Sequence, residues 1–132
     1  MPRKQVMSQL PTILIVDDDD AIRRLIATIL AGRDYEFRYS GDAPSAVASM
    51  HEKTPALVIL DVNVPGQGGG LGVLDHIRGE ASLAEVKVLL VSGVAEAYTD
   101  GWGVSLGADG HLAKPFELAA LRDAVAGLVG SS

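Results

Sequence analysis

Short apolar runs alternate with segments of helical periodicity along this chain of 132 residues. The runs 57–60 and 88–91 are apolar at every position, which is typical of central parallel strands with helices packed on both faces. Segment 35–39 alternates apolar and polar side chains instead, which indicates a strand at the edge of a sheet. With the runs 12–16 and 111–113, the pattern predicts five strands separated by helices.

This alternation strongly restricts the possible folds. Parallel neighbouring strands need a crossover, which is right-handed and usually contains a helix. We therefore expect an α/β fold: a doubly wound, flavodoxin-like sheet of five parallel strands in the order 2-1-3-4-5, flanked by five helices. In such a sheet the ligand site lies beyond the carboxyl ends of the strands, beside strands one and three, where the strand order reverses.

Two predicted helices have clear apolar faces. The first is stopped by Gly32 and has Arg23 and Arg24 facing outward. The last covers about 117–129. The expected core residues are Ile22, Leu25, Ile26, Ile29 and Leu30 in the first helix and Leu118, Leu121, Val125, Leu128 and Val129 in the last.

The other three helices have weaker patterns. Asp42 is expected to cap the second helix, which has Pro44 in its first turn and ends before Pro55. The third covers about 72–78, after a glycine-rich loop, and the fourth covers about 95–106. The residues of the second helix expected to face the core are Ala46, Val47 and Met50.

Polar side chains follow four of the predicted strands. Asp17 to Asp20 come after the first strand, Asp61 ends the third, Ser92 follows the fourth and Lys114 follows the fifth. Because parallel neighbouring strands end at the same edge of a sheet, we expect these groups to converge. Three carboxylates at one site either raise a pKa or recruit a divalent cation, and oxygen ligands favour Mg²⁺ or Mn²⁺.

A site of this composition suits phosphoryl transfer. Mg²⁺ takes only one or two carboxylates and keeps positions that phosphate oxygens can fill. The ammonium of Lys114 can bond a phosphate oxygen or neutralise Asp61, and Ser92 can donate to another oxygen. Carboxylate nucleophile, divalent ion, hydroxyl and ammonium together make a phosphoryl acceptor site.

Composition narrows the partners and the location. The net charge of −6 disfavours non-specific binding to nucleic acid or to anionic membranes. The absence of cysteine excludes disulfides and thiolate chemistry, and the apolar runs are too short to span a membrane. We expect one cytoplasmic domain at 11–129 with a flexible arm at 1–10, a short tail at 130–132 and no DNA-binding output module.

Four motifs resemble those of a known family. They are IVDD at 15–18, LVILDVNVPG at 57–66, LLVSG at 89–93 and LAKPF at 112–116. In this order, and each at a strand end, they resemble the response-regulator receiver domain of two-component signalling, in particular its chemotaxis-type single-domain members. The resemblance covers about residues 11–129.

The resemblance implies roles for the acidic residues. Asp61 would accept a phosphoryl group from a histidine kinase or a histidine phosphotransfer protein, and also from small donors such as acetyl phosphate. Asp18, Asp61 and the backbone carbonyl of Asn63 would ligate Mg²⁺, and Asp17 would hold a metal-bound water.

The resemblance also implies how such a site signals. Ser92 would move toward the phosphoryl group, and Lys114 would pair with one of its oxygens. The face formed by helix four, strand five and helix five would then shift and act on a downstream protein that the sequence does not identify. A domain of this kind catalyses at most its own phosphorylation and dephosphorylation, so it is not expected to be a conventional enzyme.

Two features depart from the family pattern. His111 stands where receivers usually carry the Tyr or Phe of the switch. The run 66–70, GQGGG, is one residue longer than the corresponding loop of receivers and is expected to be flexible. Two further residues bear on the lifetime of the phosphoryl group: Asn63 and Val94, two residues after Asp61 and Ser92, should flank the hydrolytic water. Val94 has no group to orient this water, so we expect slow self-dephosphorylation.

Two other functions fit some of these residues. A haloacid-dehalogenase-like phosphatase also uses an aspartate at a strand end with Mg²⁺, but that family expects Asp-x-Asp, and here the second position is Asn63. A receiver fold can also serve as an interaction module that phosphorylation does not switch. Considered singly, the four consecutive aspartates are typical of a capped helix start, and His51 and His76 are expected on the surface without ligand spacing.

Overall fold

The computed structural model describes residues 10–93 and 106–130. They contain five strands: β1 (Thr12–Val16), β2 (Glu36–Ser40), β3 (Leu57–Asp61), β4 (Lys87–Ser92) and β5 (Gly110–Ala113). All neighbouring pairs are parallel, and the strand order is β2-β1-β3-β4-β5. The predicted sheet, with its order 2-1-3-4-5 and its edge strand β2, is confirmed.

Four α-helices lie in the described part of the chain. They are α1 (Asp20–Leu30), α2 (Ala43–Glu52), α3 (Gly69–Gly79) and α4 (Leu118–Val129), and a short 3₁₀ turn covers Ala81–Leu83. The helix predicted at 95–106 lies outside the described residues except for Leu106, and so does Val94. Within 10–93 and 106–130, no helix has the length and apolar character needed to cross a membrane.

Alternate residues of the central strands supply two separate aliphatic layers. Leu60 and its neighbours on one face pack against α2 and α3, through residues such as Met50 and Ile77. Ile59 and its neighbours on the other face pack against α1 and α4, through residues such as Ile26 and Leu121. Because side chains point to opposite faces with a period of two, an apolar run covered on both sides builds both layers at once.

Helix ends follow the sequence signals in two of the four helices. The side chain of Asp19 accepts from the backbone amides of Ala21 and Ile22 and caps α1. The side chain of Asp42 accepts from the amide of Ser45 at 2.8 Å and caps α2, as predicted. Both caps satisfy amides that have no partner within the helix.

The structure differs from the predicted helix faces at two leucines. Leu25 of α1 is 46% exposed and Leu118 of α4 is 54% exposed, although both were expected in the core. Each lies at the margin of its apolar stripe, where the spacing pattern does not show how far the sheet reaches. The remaining predicted core residues of these helices are buried or half-buried against the sheet.

The third helix is longer than predicted. It begins at Gly69 and not near Gly72. Glycine has a low helix propensity, but the close approach of this segment to the end of β3 leaves no room for a side chain. A Cβ atom on Gly70 would lie 2.3 Å from the carbonyl oxygen of Asp61. The predicted glycine loop is therefore partly a helix start held tightly against the end of β3.

Candidate functional site

The chain continues the sheet hydrogen bonding beyond several strand ends. The amide of Asp17 donates to the carbonyl of Ser40 at 3.0 Å, and the amide of Lys114 donates to the carbonyl of Ser92 at 2.9 Å. These bonds fix the backbone of Asp17 and Lys114 relative to the sheet. Asp17 and Lys114 are therefore anchored to the sheet by their backbones, and their side chains meet at its carboxyl edge.

Asp17, Asp61 and Lys114 form one ionic cluster at this edge. The Nζ atom of Lys114 lies 2.8 Å from Oδ2 of Asp17 and 3.2 Å from Oδ2 of Asp61. Both carboxylates are almost fully buried, and the lysine side chain is about one-quarter exposed, at 27%. The structure thus brings together three residues that are separated by up to 97 positions in the sequence.

The four consecutive aspartates divide into two pairs with different surroundings. Asp17 and Asp18 lie at the site, and Oδ1 of Asp17 accepts from the amide of Asp19 at 2.9 Å. Asp19 caps α1, and Asp20 pairs with Arg23 and Arg24 on the exposed surface. The run therefore contains both predicted features: Asp17 and Asp18 belong to the acidic site, and Asp19 and Asp20 belong to the helix start.

Three carboxylates are placed to share one cation. Asp17, Asp18 and Asp61 each offer an oxygen atom, and these atoms lie within 4.8 Å of one another. Asp17 and Asp61 are buried, whereas Asp18 is exposed at the rim. An all-oxygen set that is open to water on one side fits a small hard cation such as Mg²⁺, which retains several water ligands.

The cluster has two carboxylates but only one ammonium. Burial raises the pKa of Asp61 above its ordinary value and the charge of Asp17 adds to this, although the Asn63 amide and Lys114 oppose the rise. Burial also works against the charged form of Lys114, yet its hydrogen bond to Asp17 and the charges of both carboxylates raise its pKa overall. The ammonium is therefore firmly charged, but a single lysine does not fully compensate the carboxylates around it.

The backbone after β3 approaches Asp61 closely. The amide of Asn63 donates to Oδ1 of Asp61 at 3.1 Å, which leaves Oδ2 directed at Lys114. The amide of Val62 donates to the carbonyl of Val91 at 3.1 Å. The two oxygens of Asp61 thus have distinct partners, and its side chain has a defined orientation.

Ser92 and His111 occupy their predicted places on β4 and β5. Ser92 is the last residue of β4, is completely buried and is paired with Ala113 in the sheet. His111 is half-buried and is paired with Leu90, two residues before Ser92. Ser92 therefore belongs to the edge that carries the carboxylates, whereas His111 lies further back along the sheet.

One supporting residue was not anticipated from the sequence. The guanidinium of Arg23 donates to the backbone carbonyl of Asp17, although Arg23 was expected to face outward. Its side chain is only 20% exposed, whereas the neighbouring Arg24 is 77% exposed. An arginine one turn into a helix that follows a functional loop can turn back over that loop, and the periodicity of the helix alone does not reveal this.

Comparisons with known proteins give a consistent result. Residues 13–126 match the family model described as response regulator receiver domain. Probable transcriptional regulator ycf27 of Galdieria sulphuraria is 38% identical over 104 residues, which are 79% of this chain and 39% of that protein. The phosphate regulon transcriptional regulatory protein PhoB of Escherichia coli (strain K12) is 31% identical over 104 residues, which are 79% of this chain and 45% of that protein. The chain thus spans less than half the length of these relatives.

Solved structures have the same fold. A putative response regulator from Chloroflexus aurantiacus J-10-fl superposes with a TM-score of 0.83 at 28% identity, covering 92% of this chain and 99% of that one. The receiver domain of NtrX from Brucella abortus superposes with a TM-score of 0.78 at 34% identity, covering 91% of this chain and 99% of that one. The chemotaxis response regulator CheY4 of Vibrio cholerae, at 24% identity and a TM-score of 0.80, shares the fold.

Proposed function

Because this chain belongs to the response regulator receiver domain family of two-component systems, we propose that it accepts a phosphoryl group on Asp61. The proposed receiver unit comprises residues 11–129. In this unit Asp61 is the phospho-acceptor, Ser92 and Lys114 bind phosphoryl oxygens, and His111 takes part in the response. The supporting observation is that Asp61 is buried, oriented by the Asn63 amide and within 3.2 Å of the Lys114 ammonium.

The proposed cation is Mg²⁺, or Mn²⁺ in its place. Asp18, Asp61 and the backbone carbonyl of Asn63 are the proposed ligands, and Asp17 is proposed to hold a metal-bound water. The spacing of the three carboxylates supports this assignment, and so does the excess of negative charge around Lys114. When bound, the ion would neutralise charge on the phosphoryl oxygens and on the carboxylates.

The reaction requires little beyond positioning and charge neutralisation. A carboxylate oxygen of Asp61 forms a bond to phosphorus, and the bond from phosphorus to the leaving group breaks. The leaving group keeps the electron pair of that bond: an imidazole nitrogen when a phosphohistidine is the donor, or acetate when acetyl phosphate is the donor. Lys114 exchanges its contact with Oδ2 of Asp61 for one with a phosphoryl oxygen, and Ser92 donates its hydroxyl hydrogen to another.

The proposed partners are proteins on both sides of the transfer. A histidine kinase or a histidine phosphotransfer protein supplies the phosphoryl group. Residues 95–106, β5 and α4 form the proposed output surface, which acts on a downstream protein and not directly on nucleic acid or a membrane. The proposed location is the cytoplasm, and the proposed activity is limited to the domain's own phosphorylation and dephosphorylation.

Intact-mass spectrometry after incubation with acetyl phosphate tests the proposal. Wild type is expected to gain one phosphoryl adduct in the presence of Mg²⁺ and none with a chelator. Asp61→Asn is expected to gain none, whereas Asp75→Asn, the same chemical change at an exposed position of α3, is expected to react as wild type does. An adduct of equal size on Asp61→Asn would refute the assignment. No adduct from any donor would favour an interaction module that phosphorylation does not switch.

A further inference from the structure

Two histidines from different helices face each other on the surface. His51 lies on α2 and His76 on α3, and their Nε2 atoms are 2.9 Å apart. The rings are nearly perpendicular, at 82°, with centroids 5.1 Å apart, so each ring directs a nitrogen edge at the other. The 25 residues between them explain why neither histidine has ligand spacing in the sequence.

The location of the pair suits a bound cation. His51 and His76 both belong to the last turns of their helices. The carboxyl end of a helix carries a partial negative charge from its unpaired carbonyl groups, and this end stabilises cations. Each histidine of the pair therefore lies near the carboxyl end of its own helix, where a bound cation is stabilised.

The separation of the two nitrogens suits a shared metal ion. Zinc–nitrogen bonds of about 2.0–2.1 Å in tetrahedral geometry place two nitrogen ligands roughly 3.3 Å apart. The observed 2.9 Å needs an opening of only about 0.4 Å to reach that value. The residue His51 is exposed, so rotation of its side chain can supply this opening and turn its nitrogen toward an ion beside the pair.

We propose that His51 and His76 form a two-imidazole site for a borderline divalent transition ion, represented by Zn²⁺. The ion lies beside the line that joins the two Nε2 atoms and binds a lone pair of each, and the ring that carried the hydrogen atom between them holds it on Nδ1 instead. Water fills the remaining coordination positions. Imidazole nitrogen suits zinc, copper and nickel ions, whereas Mg²⁺ prefers oxygen.

This site is separate from the acidic cluster in place and in chemistry. Because α3 begins against the end of β3 beside Asp61, its carboxyl-terminal turn with His76 lies toward the opposite end of the sheet. The proposal therefore holds whether or not Asp61 accepts a phosphoryl group. An ion between the rings would link α2 and α3 through their exposed ends.

Calorimetric titration with Zn²⁺ at neutral pH, in a large excess of Mg²⁺, tests the proposal. Wild type is expected to bind one Zn²⁺. His51→Gln and His76→Gln, which keep a polar side chain, should each bind at least roughly 10- to 100-fold more weakly, since losing a direct ligand costs no less than losing an outer partner. His111→Gln is the matched control and should bind as wild type does. Circular dichroism verifies that each variant is folded.

A spectroscopic measurement separates ligation from a structural effect. With Cu²⁺ in place of Zn²⁺, the electron paramagnetic resonance spectrum of wild type should show two coupled imidazole nitrogens, and each single variant should show at most one. Zn²⁺ binding that persists in both variants but is lost in Asp18→Asn would assign the ion to the acidic cluster and overturn the proposal. Absence of Zn²⁺ binding to wild type would also overturn it and leave the pair as a hydrogen bond between two helices.

Discussion

Leu60 and Asp61 are neighbours on β3 and both are buried, with exposed fractions of 0% and 6%, yet their surroundings are opposite. Leu60 lies in the aliphatic layer between the sheet and helices α2 and α3. Asp61 lies at the edge of the sheet among other carboxylates and one ammonium. Removing Leu60 from water favours folding, whereas removing a carboxylate from water opposes it unless partners compensate.

This contrast shows how one strand serves two purposes. The apolar residues of the strand stabilise the fold, whereas its last residue places a carboxylate where burial opposes folding. We therefore expect Leu60→Ala and Asp61→Asn to change stability with opposite signs, and we expect a bound cation to reduce this difference.

The largest expected effect is at Leu60. Leu60→Ala should lower the free energy of unfolding by about 2–5 kcal/mol, because it removes buried apolar contacts and leaves a cavity. Urea denaturation followed by circular dichroism measures this change. Leu25→Ala, the same truncation at a side chain that is 46% exposed, should change stability by about 0.5 kcal/mol or less. Equal losses in the two variants would contradict the layer assignment.

Magnesium should stabilise the charged region selectively. At a concentration 100 times the dissociation constant, Mg²⁺ should raise the free energy of unfolding of wild type by about 2.7 kcal/mol, because the proposed site requires the folded chain. A chelator should return the protein to its metal-free stability. Thermal denaturation with and without Mg²⁺ measures this gain in stability. Asp61→Asn should gain much less stability than wild type, and an undiminished gain would argue against Asp61 as a ligand.

Removal of the ammonium should destabilise the edge. Lys114→Met keeps most of the side-chain volume but leaves Asp17 and Asp61 without their shared partner, so it should cost about 1–3 kcal/mol in the absence of metal. Lys53→Met removes an exposed pair with Glu36 and should cost about 1 kcal/mol or less. Denaturant unfolding compares the two variants. A Lys53 variant that loses as much as the Lys114 variant would mean that burial does not strengthen the pairing.

The smallest expected effect has the opposite sign. Burial, followed by the charge of Asp17, raises the folded-state pKa of Asp61 above its ordinary value. The protonated side chain therefore contributes stability that is fully present below the ordinary pKa and is lost as pH rises through the folded-state pKa. At neutral pH without metal, Asp61→Asn should be more stable than wild type by roughly 1 kcal/mol or less, within the ordinary range of single substitutions.

Thermal unfolding of wild type and of Asp61→Asn, from acidic to neutral pH, measures the effect. The advantage of Asp61→Asn should grow from acidic to neutral pH. A variant that is less stable than wild type at neutral pH would show that Lys114 and the Asn63 amide compensate the carboxylate fully.

The sequence predicted the sheet and its acidic edge because both depend on local patterns. An apolar run followed at once by a carboxylate specifies the strand and also the end at which Asp61 lies. The pattern of α1 could not show that Leu25 stays exposed, because this depends on the width of the sheet beneath it. Gly70 was assigned to a loop, since only the three-dimensional structure reveals its close approach to Asp61.

Contacts between distant segments were the least predictable. Arg78 of α3 donates to the carbonyls of Val86 and Gly107 and to the carboxylate of Asp109, which in turn accepts from the amide of Val88. This network ties the end of α3 to the segment before β5, and no periodicity or spacing in the sequence indicates it. The pairing of His51 with His76 is of the same kind, since it depends on how α2 and α3 pack.

Locating the phosphoryl group in the chain tests the central claim most directly. After Mg²⁺-dependent reaction with acetyl phosphate, reduction with borohydride converts an aspartyl phosphate into homoserine, and peptide mass spectrometry identifies the position. We predict homoserine at position 61 and at no other aspartate. Homoserine at Asp17 or Asp18, or a borohydride-resistant phosphate on Ser92, would contradict the assignment of Asp61 as the acceptor.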